Sequence, residues 1–310
     1  MKEGLALADW GTSNLRLWIL DEAGQLCAQA ASPDGADGLP SEAYAPLLRA
    51  RLQALGIAPA APLPVVVCGM AGARQGWREA GYVPVPAAPS ACLSQAVSIA
   101  VNGLDVRILP GLAQKDTHQP DVMRGEETQL LGFLATEPGF SGIICLPGTH
   151  NKWVYVTQGQ ISRFQTAMTG EIFALLSRQS VLRHVIGGAE GFAPDAPAFA
   201  AALAEALVQP AQLPLSLFQI RAAGLLAGQT GDAAAARLSG LLIGTEVAAA
   251  LSGPSAGGEV VLLASGALAP LYAQAVARAG WNCRQRDAES LTLAGLETAA
   301  RHFFPGFFKG

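Results

Sequence analysis

Residues 146–157 read LPGTHNKWVYVT, and residues 5–21 read LALADWGTSNLRLWILD. In each, an apolar run stops at a short polar segment, Gly148-Thr149-His150-Asn151 in one and Gly11-Thr12-Ser13-Asn14 in the other. Strand-like residues resume directly afterwards. Gly and Asn tolerate the backbone angles of tight turns, so a β-hairpin accounts for either segment alone. The shared Gly-Thr-x-Asn, once near the N-terminus and once about halfway along, predicts two related lobes that each open with a hairpin.

A chain of 310 residues exceeds what one hydrophobic core usually organises, which agrees with two lobes. We place them at 1–135, with the first hairpin, and 136–310, with the second, leaving the last helix free to pack back on the N-terminal lobe. Further strand-like runs fall at 65–68, 106–109, 143–146, 161–164 and 260–263. Helical patterns fall at 41–55, 126–135, 170–177, 196–208, 215–227, 233–251 and 268–279. Hairpins followed by alternating strand and helix imply an α/β protein with mixed sheets and flanking helices.

Apolar residues make up 51% of the chain and charged residues 14%, which suits a well-buried α/β protein and argues against disorder. A net charge of -4 gives no basic footprint for nucleic acid or an anionic membrane. The uncharged stretch from Val260 is broken by Ser265, Gly266, Pro270 and Gln274 into strand, turn and helix, so it reads as core. The N-terminus meets acidic and turn residues too early for a signal peptide, and a cytoplasmic location is expected. The five cysteines are widely separated, which predicts buried free thiols, and the four dispersed histidines show no zinc-type spacing. Homo-oligomerisation stays open.

A glycine turn lets the backbone approach a ligand closely, and successive N–H groups with Thr, Ser and Asn side chains form a nest of donors for phosphate oxygens. Two such turns would hold a polyphosphate from both sides. Asp9 ends an apolar run just ahead of the first turn, where an isolated carboxylate is costly unless it holds a cation or a hydrogen-bond network.

ADWGTSNLRL and LPGTHNKWVYV resemble the two phosphate hairpins of the actin, hexokinase and Hsp-type chaperone superfamily, and VVLLASGALAPLYAQAV is similar to its adenosine element, with Ser265-Gly266 at the turn. The resemblance narrows at GMAGARQGW (69–77), PDVMRGEETQLLG (120–132), LPGTHNKWV (146–154) and FQTAMTGEIFALL (164–176), which together look like the 2-dehydro-3-deoxygalactonokinase family. It implies a two-lobe actin-like ATPase fold with duplicated ribonuclease H-like lobes. The implied reaction is ATP- and Mg2+-dependent phosphorylation of a small sugar acid, 2-dehydro-3-deoxy-D-galactonate, at its 6-hydroxyl. Aligned on the turn glycines, Asp9 has Leu146 as its counterpart, so the second hairpin lacks the carboxylate that many superfamily members carry.

On this reading Asp9 orients hydrated magnesium, while Gly11, Thr12, Ser13, Asn14, Gly148, Thr149, His150, Asn151 and Lys152 contact phosphate and Ser265 and Gly266 contact the nucleotide. Lys152 flanks a strand, and a solvated position is its simpler alternative. Glu126 and Glu127 fall in a helix's first turn, where the helix dipole already favours acids, yet the resemblance makes one of them a catalytic or metal-orienting group. Asp116 and Asp121 are held in reserve as general base. The substrate carboxylate calls for arginine, whose planar fork binds both oxygens, and Arg74, beside Gln75, and Arg124 are the candidates. Thr169 reads as a helix N-cap with Glu171 in the first turn, both within reach of substrate by resemblance. The rival readings are a kinase for another sugar or sugar acid, a phosphohydrolase, and an actin-like ATPase that moves a protein partner.

Overall fold

The computed structural model describes residues 4–57, 62–101, 103–189, 191–252 and 258–309. They form two compact units: Met1–Ser141 with Val156–Arg163 and Ala288–Gly310, and Gly142–Tyr155 with Phe164–Asp287. The second unit thus begins after Ser141 and returns the final segment to the first.

In the first unit the chain runs β1 (Leu5–Trp10), β2 (Leu15–Leu20), β3 (Leu26–Ser32), α1 (Tyr44–Ala54), β4 (Leu63–Gly69), β5 (Tyr82–Pro84), β6 (Val97–Val101), β7 (Leu104–Ile108), β8 (Gly111–Gln114), β9 (Asp121–Met123) and α2 (Glu126–Thr136). Its main sheet has the order β3-β2-β1-β4-β7-β6, and β5, β8 and β9 form a small second sheet. β1 pairs antiparallel with β2 and parallel with β4, so it lies in the sheet interior and reads as an almost unbroken buried run. Trp10, Leu15, Tyr44, Leu48 and Val67 meet on one face of this sheet.

The chain continues through β10 (Gly142–Leu146), β11 (Asn151–Thr157), β12 (Gln160–Ala167), α3 (Thr169–Gln179), α4 (Arg183–Ile186), α5 (Pro197–Val208), α6 (Leu213–Leu226), α7 (Gly231–Ala250), β13 (Glu259–Leu263), α8 (Leu268–Arg278), β14 (Asn282–Arg286) and α9 (Ala288–Phe303). The second large sheet has the order β12-β11-β10-β13-β14, with β10, β13 and β14 parallel. Both sheets therefore place a hairpin's first strand between its second strand and a later parallel one. This is the duplicated ribonuclease H-like topology of the actin-like ATPase fold that the family resemblance implied.

Close helix packing rests on small residues. Gly240 and Gly244 of α7 face α5 where a Cβ would meet the Phe199 carbonyl at 2.5 Å and Ala206 Cβ at 2.7 Å. By length and composition alone α7 could cross a membrane, but 67% of its apolar window is buried inside the protein. In the first unit, Gly132 of α2 and Gly295 of α9 leave no room for a Cβ against the backbone of the opposite helix. The apolar face of α9, with Leu296, Ala299 and Ala300, packs on Leu5, Leu7 and Val66. Cys68, Cys92 and Cys145 are buried free thiols as expected, whereas Cys27, on edge strand β3, is exposed.

Candidate functional site

The first turn closes with the Gly11 N–H donating to the Asn14 carbonyl at 2.9 Å. Residues 35–37 brace it from behind: the Ala36 and Asp37 N–H groups donate to the Gly11 and Thr12 carbonyls, and Gly35 sits where any Cβ would strike the backbone of Thr12 and Ser13. Thr12, Ser13 and Asn14 are exposed on this fixed backbone. Asp9 lies one register step behind the turn, directly across from Arg16 on β2 and Cys68 on β4. Its carboxylate meets the Arg16 guanidinium at 3.6 Å and accepts from the Cys68 thiol at 3.7 Å. Burial raises the Asp9 carboxyl above its usual range; Arg16 and then Cys68 oppose the rise, and Glu126 and Glu289 add to it.

Gly69, at φ +84°, brings the end of β4 close to Asp9, since a Cβ there would lie 2.6 Å from the Trp10 carbonyl and 3.4 Å from Asp9 Oδ1. The loop after it is held down by Trp77, which stacks on Tyr44 at 5.9 Å and meets Trp10 edge-on at 6.2 Å. Arg74 and Gln75 are exposed on that loop. Gly125, at φ +104°, approaches Gly69 from the start of α2.

The two acids of that helix part company. Glu127 is 1% exposed and turned inward, accepting from the Gly125 N–H at 2.6 Å and the Thr128 hydroxyl at 3.0 Å. Burial, and next the charge of Glu126, push its carboxyl up to about 8. Glu126 is half-buried, accepts from the Arg124 N–H at 3.1 Å, and is the acid of the pair whose charge acts on Asp9. Arg124 lies over the Tyr82 ring at 4.4 Å and donates from Nη2 to the Gly81 carbonyl at 3.0 Å. Its Nε and Nη1 are buried without a hydrogen-bond partner. Of the reserve acids, Asp116 accepts from the His118 N–H and Asp121, at the start of β9, from the Val122 N–H, each at 2.7 Å.

In the second unit, Thr149 and His150 are exposed at the turn, whereas Asn151 and Lys152 are buried. The Asn151 side chain is not offered to a ligand as the sequence suggested, because β11 is covered on both faces and Asn151 points into the core. Its Oδ1 accepts from the Gly148 N–H at 2.6 Å, and its Nδ2 donates to Glu246 at 2.8 Å and to the Tyr272 hydroxyl. Glu246, on α7, also accepts from Trp153 Nε1 and the Tyr272 hydroxyl, each at 2.7 Å. Lys152 does not face water: it is 4% exposed, and its ammonium group lies 3.5 Å from the His150 carbonyl.

The start of α3 closes over this turn. Gly170 leaves no space for a Cβ against Gly148 and Thr149, the Glu171 N–H donates to the Thr149 carbonyl at 3.1 Å, and His150 Nε2 lies 2.5 Å from Glu171. Thr169 is the first helical residue and Met168 the N-cap, and the Thr169 hydroxyl does not cap the helix. Gly148, Thr169, Gly170 and Tyr272 border a cavity of about 650 Å³ that runs on between α8, residues 186–189 and 191–194, and α7, with mostly apolar walls including Phe173, Phe192 and Leu268. Ser265 and Gly266, at φ +67°, form the turn into α8 and are exposed, with the Ser265 hydroxyl donating to Asp287 at 2.7 Å.

The sequence profile of the 2-keto-3-deoxy-galactonokinase family matches residues 9–299, spanning both hairpins and the cavity. The chain belongs to that family. A Rhizobium meliloti (strain 1021) protein named a probable 2-dehydro-3-deoxygalactonokinase is 44% identical over 97% of this chain and 97% of its own. The 2-dehydro-3-deoxygalactonokinase of Escherichia coli (strain K12) is 36% identical over 94% of this chain and 96% of its own. A crystal structure from Sinorhizobium meliloti, carrying the same kinase name provisionally, superimposes with a TM-score of 0.92 at 44% identity, covering 97% of this chain and 99% of the other.

For this 2-keto-3-deoxy-galactonokinase chain, the residues that sequence reading missed are those that support the turns from behind. Arg16 and Glu289 act on Asp9, and Glu246 and Tyr272 hold Asn151. Arg16 carried a signal, since a symmetric hairpin sets it opposite Asp9. Glu246 carried a fainter one as the lone acid in the second half of an Ala-, Leu- and Gly-rich helix.

Proposed function

We propose that this chain transfers the γ-phosphoryl group of ATP to the 6-hydroxyl of 2-dehydro-3-deoxy-D-galactonate in galactonate breakdown. The observation that carries the reading is family membership over residues 9–299, joined to a structure in which the second turn borders an apolar cavity. A cavity of about 650 Å³ is in the range of small-ligand sites and suits an adenosine moiety. With the nucleoside there, Gly148, Thr149 and His150 meet the phosphates, while Asn151 fixes the turn's shape from inside.

In the first unit, taken by itself, Thr12, Ser13 and Asn14 are exposed donors of the kind phosphate oxygens accept from. Among the described residues no three His, Cys, Asp or Glu side chains cluster to hold a metal. Magnesium asks for less in nucleotide sites, where one carboxylate with waters and phosphate oxygens completes its shell. Asp9 fits that part: a hard oxygen donor whose own charge is disfavoured by burial and by Glu126 and Glu289 gains from a nearby cation. Bound magnesium would neutralise charge on the transferring phosphoryl group. Glu126, rather than the inward Glu127, is the acid available to the acceptor hydroxyl. Arg124, with Nε and Nη1 unpartnered, is the stronger carboxylate anchor, and the exposed Arg74 and Gln75 are secondary. A loose phosphoryl transition state asks mainly for positioning and charge neutralisation, which these groups supply.

The acidic net charge gives no support to nucleic-acid binding, and the cytoplasm, where ATP and its metal are at hand, is the proposed location. An acceptor panel tests the reading: ADP release should require the galactonate-derived acid and should be much slower with its gluconate-derived epimer, an anhydro amino sugar, or no acceptor. ATP turnover indifferent to acceptor would point to an ATPase or phosphohydrolase.

A further inference from the structure

Helix α6, LPLSLFQIRAAGLL, carries a single charged residue, Arg221, and is apolar nearly all round, a composition that belongs inside a protein. Only one side of it is covered. Ser216 and Ile220 are buried, and Leu213 and Leu217 pack partly into the core beneath. On the opposite side Leu215, Phe218, Leu225 and Leu226 are 68%, 66%, 64% and 88% exposed. Leu215, Phe218, Ala222 and Leu225 follow the three-four spacing of a coiled-coil seam, a narrow stripe suited to one partner helix.

We propose that this stripe is a homodimer interface in which α6 of two copies pair antiparallel about a two-fold axis. The stripe is complementary to itself in that orientation. Leu215 of one copy faces Leu225 of the other, and the bulky Phe218 faces the small Ala222, so large meets small in both inner layers. Arg221 then lies beside Gln219 of the second copy, whose Oε1 accepts from Arg237 Nη2 at 2.9 Å, rather than beside its own counterpart. A closed two-fold pairing of this kind uses one patch twice.

The exposed seam side chains Leu215, Phe218 and Leu225 present on the order of 400 Å² per copy, or about 800 Å² across the pair with Leu226 adding at the rim, close to the lower bound of about 1,000 Å² for a specific interface. The expected dimer is therefore reversible. A membrane surface is the poorer occupant, because an interfacial helix needs a strongly basic polar face and α6 has one arginine.

Sedimentation velocity of the full chain, from about 1 to 100 μM, should show a concentration-dependent dimer. Leu215→Glu and Leu225→Lys should each weaken it at least about tenfold without altering the circular dichroism spectrum or the melting temperature, because both positions face solvent in the monomer. The double variant should dimerise again, now sensitively to salt, since antiparallel pairing sets each Glu opposite a Lys. A monomer throughout the range, single variants that dimerise like wild type, or single variants weakened but not rescued in the double variant would overturn the proposal. Binding of monomeric protein to anionic phospholipid vesicles through the same residues would equally overturn it.

Discussion

Replacing Glu246 by Ala removes the acceptor of three hydrogen bonds, from Trp153 Nε1, Asn151 Nδ2 and the Tyr272 hydroxyl, all in buried surroundings. Asn151 can keep its bond to the Tyr272 hydroxyl, but the Trp153 N–H has no alternative acceptor and the hydroxyl proton loses its own. Two buried donors left without partners, each costing about 1–3 kcal/mol, predict a destabilisation of roughly 2–4 kcal/mol once the relief of removing a buried carboxyl is allowed for. Glu246→Gln should be milder. Its amide oxygen can face Trp153 and its amide nitrogen can donate to the Tyr272 oxygen, so the Trp153 bond is kept while the hydroxyl proton and Asn151 Nδ2 lose this acceptor, a cost of about 1–2 kcal/mol. Asn151 also fixes the Gly148 N–H, so loosening it should weaken ATP-analogue affinity about tenfold in the Ala variant and much less in the Gln variant. Urea unfolding measures the first quantity and nucleotide titration the second. An Ala variant as stable as wild type would refute the hydrogen-bond reasoning. Lost stability with unchanged nucleotide affinity would show that the network does not shape the phosphate turn.

Asp9→Asn keeps the side chain's shape while removing its charge, so the fold should persist and turnover should fall about 10²-fold or more; near-normal rates at saturating magnesium would remove Asp9 from the metal site. Glu127 holds a proton in the folded state up to about 8 against an ordinary 4.5, so the folded protein binds more protons than the unfolded chain across that window and stability falls as pH rises through it. Glu127→Gln should flatten that fall and leave kcat within a few-fold, whereas Glu126→Gln should lower kcat about 10²-fold; a pH-stability profile unchanged by Glu127→Gln would contradict the inward, protonated carboxyl. Arg124→Ala should reduce kcat/KM for the sugar acid roughly ten- to a hundredfold, yet matter little for an acceptor whose carboxylate is reduced to an alcohol; equal losses on both would place the anchor elsewhere.

Both hairpins were legible because apolar strands flank turn residues of unmistakable type, and α5, α6 and α7 because long Ala- and Leu-rich runs favour helix. The strands that escaped notice lie at edges or are very short. β3, LCAQAAS, and β14, NCRQR, are half exposed and carry few β-branched residues, and β5 and β9 span three residues each. The extent of α9 was not read from the sequence; its buried side is built from Thr292, Gly295, Leu296, Ala299 and Ala300, most of them small residues that allow close approach. At the site, sequence could mark the exposed turn residues and Asp9 but not which side chains turn inward. Asn151 and Lys152 fall on a strand covered on both faces, and the partners Glu246 and Tyr272 are 95 and 121 positions from Asn151. Only the sheet topology brings them together.

Phosphoryl transfer from ATP to one hydroxyl of one sugar acid leaves two identifiable products. Purified protein incubated with ATP, magnesium and 2-dehydro-3-deoxy-D-galactonate, followed by phosphorus and carbon NMR of the products, tests it most directly. The expected products are ADP and a sugar acid phosphorylated on C6, in equal amounts. Free phosphate in place of a sugar phosphate, or phosphate on another hydroxyl, would contradict it.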